Sequence, residues 1–79
     1  MAGSLTVHVQ DEDENPVRGK EVRCIFPADH THSEEYTDED GVAEFDYVPN
    51  CTVKVYVDGK MQLEVGVGPG EHEDVTVTL

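Results

Sequence analysis

EEYTDEDGVAEFDYVP, Glu34 to Pro49, is the stretch on which the reading of this chain turns. An acidic segment closes on Gly41, apolar and acidic residues then alternate, and Val48-Pro49 ends the run. Asp38 is positioned to cap backbone amides with its carboxylate, and Gly41 can take a backbone conformation that is costly for any residue with a Cβ. Proline has no N–H to give to a sheet ladder, so Pro49 marks the end of a strand. The stretch therefore reads as a turn, Asp38 to Gly41, feeding a strand on which Ala43, Phe45 and Tyr47 share a face. Asp38, Gly41 and Pro49 are structural turn residues in this reading.

The same period-two alternation, the mark of half-buried strands, recurs on both sides of that stretch. LTVHVQ turns Leu5, Val7 and Val9 inward and Thr6, His8 and Gln10 outward. EVRCIF sets Val22, Cys24 and Phe26 on one face and Arg23 and Ile25 on the other, which leaves Ile25 apolar on an outer face. TVKVYV buries Val53, Val55 and Val57, and DVTVTL closes with Val75, Val77 and Leu79 facing in. MQLEVGV pairs with the strand before it through Asp58-Gly59, because Asp-Gly supplies the positive φ values of a two-residue hairpin. A short further strand is expected around Glu35 to Thr37, giving seven in all, with no internal repeat and no helical stripe. Polar connections rich in Gly, Pro and Asp separate them, and apolar faces of this kind are buried by stacking two antiparallel sheets.

A chain of 79 residues holds one core, so residues 1–79 form a single domain with residues 1–4 as a flexible N-terminus. Asp and Glu number 18 against 5 Lys and Arg, a formal charge of -13. That field repels phosphate backbones and anionic headgroups, which argues against nucleic acid and membrane as partners and for a basic protein partner, if any. It also strains the folded state by self-repulsion, which salt relieves. Halophilic proteins have such a composition, and so do acidic interaction modules. No apolar run approaches the ~18 residues that span a bilayer, and MAGSLTVHVQ has no secretory character. A complete chain would then be cytoplasmic, and a segment of a secreted protein extracellular.

The order of these features resembles the carboxypeptidase regulatory-like domains. The resemblance rests on the acidic, Pro-containing turn after the first strand, on GKEVRC, on TDEDGVAEFDYVP and on TVKVYVDGK, and it runs from Leu5 to Leu79. Its most specific residues are Thr37, Asp38, Gly41, Ala43, Phe45 and Pro49. It implies an all-β, seven-stranded antiparallel Greek-key β-sandwich of prealbumin-like (transthyretin-like) form, related to collagen-adhesin B-type repeats. It also implies that the strands bearing Cys24 and Cys51 are antiparallel neighbours. A disulfide between them is then open in an oxidising compartment, worth about 3 kcal/mol; reduced core cysteines acting as small hydrophobes are the favoured alternative.

Three groups of residues could hold a cation. Asp11, Asp13 and Asn15 offer alternating oxygens like the start of a calcium loop, although the central glycine and distal glutamate of such a loop are missing. Asp38 and Asp40 do the same in the second turn. His30 and His32, beside Asp29, Glu34 and Glu35, form a zinc- or nickel-type ligand set. The plainer reading of all three is a solvated acidic edge, with no cofactor.

No catalytic residue is assigned. The chain lacks a nucleophile elbow and a phosphate-cradling glycine loop. It ends in VTVTL, where the transthyretin-like hydrolases end in Tyr-Arg-Gly-Ser. The adhesin-type isopeptide bond is not expected, since LTVHVQ has no lysine and DVTVTL no asparagine. The sequence thus points to a monomeric, non-enzymatic structural or protein-interaction module. A cation- or ligand-binding module, or a piece of a larger cell-surface protein or enzyme, is the alternative.

Overall fold

The computed structural model describes residues 3–79. Seven strands follow one another: β1 (Gly3–Gln10), β2 (Glu21–Phe26), β3 (Thr31–Tyr36), β4 (Val42–Val48), β5 (Cys51–Val57), β6 (Lys60–Val67) and β7 (His72–Thr78). They form two sheets, ordered β4-β1-β7 and β3-β2-β5-β6, and the apolar faces of both meet in one core. Leu5, Val7, Val9, Val22, Cys24, Val53, Val55 and Val57 are completely or almost completely buried there, all on the inward parity expected from the alternation. Short β-branched side chains fill this slot because they pack flat against a pleated surface with little rotamer freedom to lose.

One pair departs from an antiparallel arrangement. β1 and β7 run parallel, in continuous register from Ser4↔His72 to Gln10↔Thr78. A hairpin would force antiparallel pairing, but β7 reaches β1 from β6, which belongs to the other sheet. The crossover through Gly68–Glu71 frees the strand to enter in either direction.

Three local differences from the sequence reading have plain causes. β1 begins at Gly3, so Gly3 and Ser4, expected in a flexible N-terminus, lie in the sheet, while Met1 and Ala2 lie outside the described residues. A Cβ on Gly3 would come within 2.6–2.8 Å of Val67 and of the Glu71 and Gly68 carbonyls, so only glycine admits the sheet's closure against the β6–β7 connection. β3 runs Thr31–Tyr36 rather than around Glu35 to Thr37. It is exposed along most of its length, so it shows no alternation and draws its pairing from the β2 backbone. Finally, Leu79 lies beyond β7 and is 39% exposed instead of joining Val75 and Val77.

The fourth difference is a β-bulge. Gly3 pairs with Val48 and Leu5 with Phe45, so Asp46 and Tyr47 together oppose Ser4. The extra residue reverses the facing of the rest of β4: Val48 is fully buried and Tyr47, expected on the core face, is 87% exposed. Tyr47 takes φ +59° at this point.

Candidate functional site

The acidic loops come first, because they carry most of the sequence's candidate ligands. At Asp38 the backbone N–H donates to the Val42 carbonyl at 3.0 Å, and the Gly41 N–H donates to the Asp38 carbonyl at 3.0 Å. Asp38 Oδ1 accepts from the amides of Asp40 and Val42 at 2.9 and 3.0 Å. The identical pattern occurs at Asp11. Its N–H donates to the Asn15 carbonyl at 2.9 Å, the Glu14 N–H donates to the Asp11 carbonyl at 3.0 Å, and Asp11 Oδ1 accepts from Asp13 and Asn15 at 2.9 Å each. The fourth residue is left-handed in both, Glu14 at φ +66° and Gly41 at φ +72°. DEDEN and DEDGV are one turn used twice, a local repetition hidden by the difference between Glu14 and Gly41.

The two turns sit together at one end of the sandwich. The Val9 N–H donates to the Gly41 carbonyl at 2.7 Å, the Val17 N–H donates to the Val9 carbonyl at 3.0 Å, and Gln10 bridges to Pro16. Thr37, almost wholly buried, ties the loops: its hydroxyl donates to the Val17 carbonyl at 2.6 Å and accepts from the Lys20 amide at 2.9 Å. Between the turns lies a shallow cleft of about 190 Å³ lined by His8, Val9, Gln10, Glu14, Pro16 and Asp40.

This geometry bears directly on the cation candidates. One oxygen each of Asp11 and Asp38 is held by two backbone amides, which is an architectural use. His30 lies in the turn after β2 at φ +54°, whereas His32 is on β3 with its ring 3.7 Å from Glu34. Glu34 itself pairs with Arg23 at 2.7 Å. Among the described residues no three His, Cys, Asp or Glu side chains are grouped so as to hold a metal ion. Asp11, Asp13, Asn15, His30, His32, Asp38 and Asp40 are therefore not assembled into a coordination shell.

The register of β2 on β5 also separates the two cysteines. β2 and β5 are antiparallel neighbours, but Cys24 pairs with Val55. Cys51 lies four residues further along β5, roughly 13 Å away at the rise of a strand, and a disulfide needs Cα atoms within about 7 Å. Both thiols are free. Burial pushes the Cys24 thiol up to about 12, which keeps it protonated and inert.

A polar cluster that the sequence reading did not single out lies on the outer face of the three-stranded sheet. Ser4 Oγ is 2.6 Å from His72 Nδ1, and Thr6 Oγ1 is 3.2 Å from His72 Nε2. His72 Nε2 and His8 Nε2 lie 3.4 and 3.5 Å from the same Asp74 oxygen. The parallel register of β1 and β7 brings these side chains together, and no pattern local to either strand could have revealed it. Ser4, His72 and Asp74 form a hydrogen-bonded chain on an open face. The backbone amide of Ser4 already donates to the Glu71 carbonyl, so it is not free to stabilise an oxyanion beside that hydroxyl.

No protein-family model matches the sequence, and no curated protein matches it significantly. The fold is similar to part of a solved structure, "The Bacillus anthracis TIE protein", with a TM-score of 0.83 and 16% sequence identity. The likeness covers 98% of this chain and 16% of that one, so this chain spans about a sixth of its length. At that identity the likeness concerns the fold alone.

Proposed function

We propose that this chain is a non-enzymatic β-sandwich module of the carboxypeptidase regulatory-like kind, with Greek-key, prealbumin-like topology, serving as a structural or protein-interaction domain. The observation that carries this reading is the extent of the structural likeness: nearly all of this chain resembles only 16% of a much longer chain. A fold that recurs as one part of a long protein suits a spacer or docking unit. The local chemistry agrees with it. The acidic turns use their first aspartate to close the loop, and the Ser4 amide beside the Ser4–His72–Asp74 chain is already committed to the Glu71 carbonyl rather than offered to an oxyanion. With a charge of -13, a basic protein surface is the partner that the field favours.

Cation binding at the loops is the second reading, favoured by the shared cleft into which Glu14 and Asp40 both project. Amide NMR titrations with calcium and with zinc, each against sodium chloride of matched ionic strength, separate the two. The module reading expects diffuse shifts that sodium chloride reproduces. Saturable shifts confined to Asp11 to Asn15, Asp29 to Glu35 or Asp38 to Gly41 would replace it with the cation-binding reading.

A further inference from the structure

We infer that the free edge of β7 is a strand-addition site for an extended segment of a protein partner, with apolar side chains at alternate positions and a lysine or arginine among them. The inference rests on the interaction-module reading and names the surface and the chemistry of the partner.

Four strands end the two sheets: β3, β4, β6 and β7. Strand edges expose unpaired N–H and C=O groups, and proteins blunt them with bulges or charge. β4 is bulged at Asp46 and Tyr47, the pairing of β6 is irregular opposite Val55 and Tyr56, and β3 is polar and exposed through most of its length. β7 differs from these three. It runs straight through seven consecutive pairs with β1 and carries the β-branched run Val75-Thr76-Val77-Thr78.

The direction of its unpaired groups follows from two hydrogen bonds. Ser4 N–H donates to the Glu71 carbonyl and Leu79 N–H donates to the Gln10 carbonyl, both at 2.9 Å. In a parallel ladder alternate residues of a strand bond to a given neighbour. Odd-numbered residues of β7 therefore bond to β1, and the amides and carbonyls of His72, Asp74, Thr76 and Thr78 point to the open side. Among the described residues no other strand pairs with β7.

The apolar surface near this edge is unfinished as well. One sheet has three strands and the other four, and β6 flanks β7 where the smaller sheet stops. Leu63, Val65 and Val75 pack on the core yet stay only half-buried. A strand added beyond β7 would extend the smaller sheet over that side, giving main-chain hydrogen bonds for affinity and alternate side chains for specificity.

Charge decides the occupant. Glu73 shares the parity of Val75 and is half-buried, and Asp74 follows it on the other face. Pairing of β7 with β7 of a second copy would bring together two chains that each carry -13, with Glu73 and Asp74 of both at one seam. A basic residue arriving beside Glu73 makes the same carboxylate a selector.

The test uses the full chain and synthetic peptides that alternate valine with threonine and lysine, alongside versions with glutamate for lysine and with a central proline. Hydrogen exchange read by amide NMR should slow about tenfold or more at His72, Asp74, Thr76 and Thr78 with the lysine peptide, and with neither control. Glu73→Lys should reverse the preference between the lysine and glutamate peptides. Thr76→Pro, which removes an N–H aimed away from β1, should abolish binding; if that variant does not fold, the Glu73→Lys exchange carries the test by itself. Unchanged exchange at millimolar peptide, protection at β3, β4 or β6 instead, an unaltered preference in Glu73→Lys, or dimers in sedimentation joined through β7 would each overturn the proposal. Peptide failure together with a null calcium and zinc titration would remove the edge site and leave a purely structural module standing.

Discussion

Two residues at equivalent places in the twin turns face opposite constraints. Gly41 and Glu14 both have positive φ, but a Cβ on Gly41 would lie 2.5 Å from the Val9 carbonyl oxygen, 3.0 Å from the Val17 nitrogen and 3.1 Å from Pro16. Glu14 already carries its Cβ, is exposed, and bears only the conformational cost of the left-handed region. Gly41→Val should therefore destabilise by about 2 to 4 kcal/mol, from strain and collision together. Glu14→Gly should be neutral or stabilise by up to about 1 kcal/mol, because relief of strain outweighs the added flexibility of the unfolded chain. Urea unfolding of both variants checks the opposite signs. Changes equal in size and opposite in sign would mean that φ alone, and not the packing of one turn on the other, sets the requirement for glycine.

Strands were legible in this sequence wherever both faces of a sheet differ. β1, β2 and β5 have a buried and an outer side, so alternation fixed their inward residues from Leu5 to Val57. β3 has no such contrast, so its limits are not written in the alternation. In β4 the alternation of the sequence runs past Phe45 to Tyr47, because a bulge is written in backbone geometry that Tyr-Val does not announce. Tyr47→Gly tests that account: with 87% of the side chain in solvent and φ at +59°, the change should stabilise by about 0.5 to 1 kcal/mol in thermal or urea unfolding. The site was less legible than the fold, since the Ser4, Thr6, His8, His72 and Asp74 cluster depends on a parallel pairing of the first and last strands. Register also fixed the cysteines, separating Cys24 from Cys51 by four positions on paired strands. The consequence of burying Cys24 is measurable. A thiol held at about 12 against an ordinary 9.0 binds its proton more tightly in the folded chain, so stability is full below pH 9 and falls as pH rises towards 12, by about 1.4 kcal/mol per unit at most. Cys24→Val should flatten that slope between pH 9 and 11, and an unchanged slope would assign the loss to other groups.

The molecule as a whole carries its charge with few internal partners. Against 18 carboxylates there are five Lys and Arg, and the strong ion pairs are exposed: Lys20 with Asp58 at 2.8 Å and Arg23 with Glu34 at 2.7 Å. Exposed pairs contribute at most about 1 kcal/mol each, so they leave the self-repulsion of the remaining carboxylates largely unbalanced. That repulsion is screened as the Debye length shrinks from about 10 Å at 0.1 M salt to about 3 Å at 1 M. Melting temperature should accordingly climb by about 5 to 15 °C over that range, the size expected for one to two kcal/mol in a domain this small. General salting-in or salting-out would shift every variant alike, whereas a Coulombic cause makes the shift depend on charge. Glu12 and Glu39 provide the control, since each is the exposed second residue of one acidic turn and neither contributes a side-chain hydrogen bond to it. Glu12→Gln with Glu39→Gln should raise the melting temperature at 0.1 M sodium chloride and lose that advantage at 1 M. A gain that persists at high salt would place its origin in the turns themselves, and the long-range field would then have no measurable part in holding this fold.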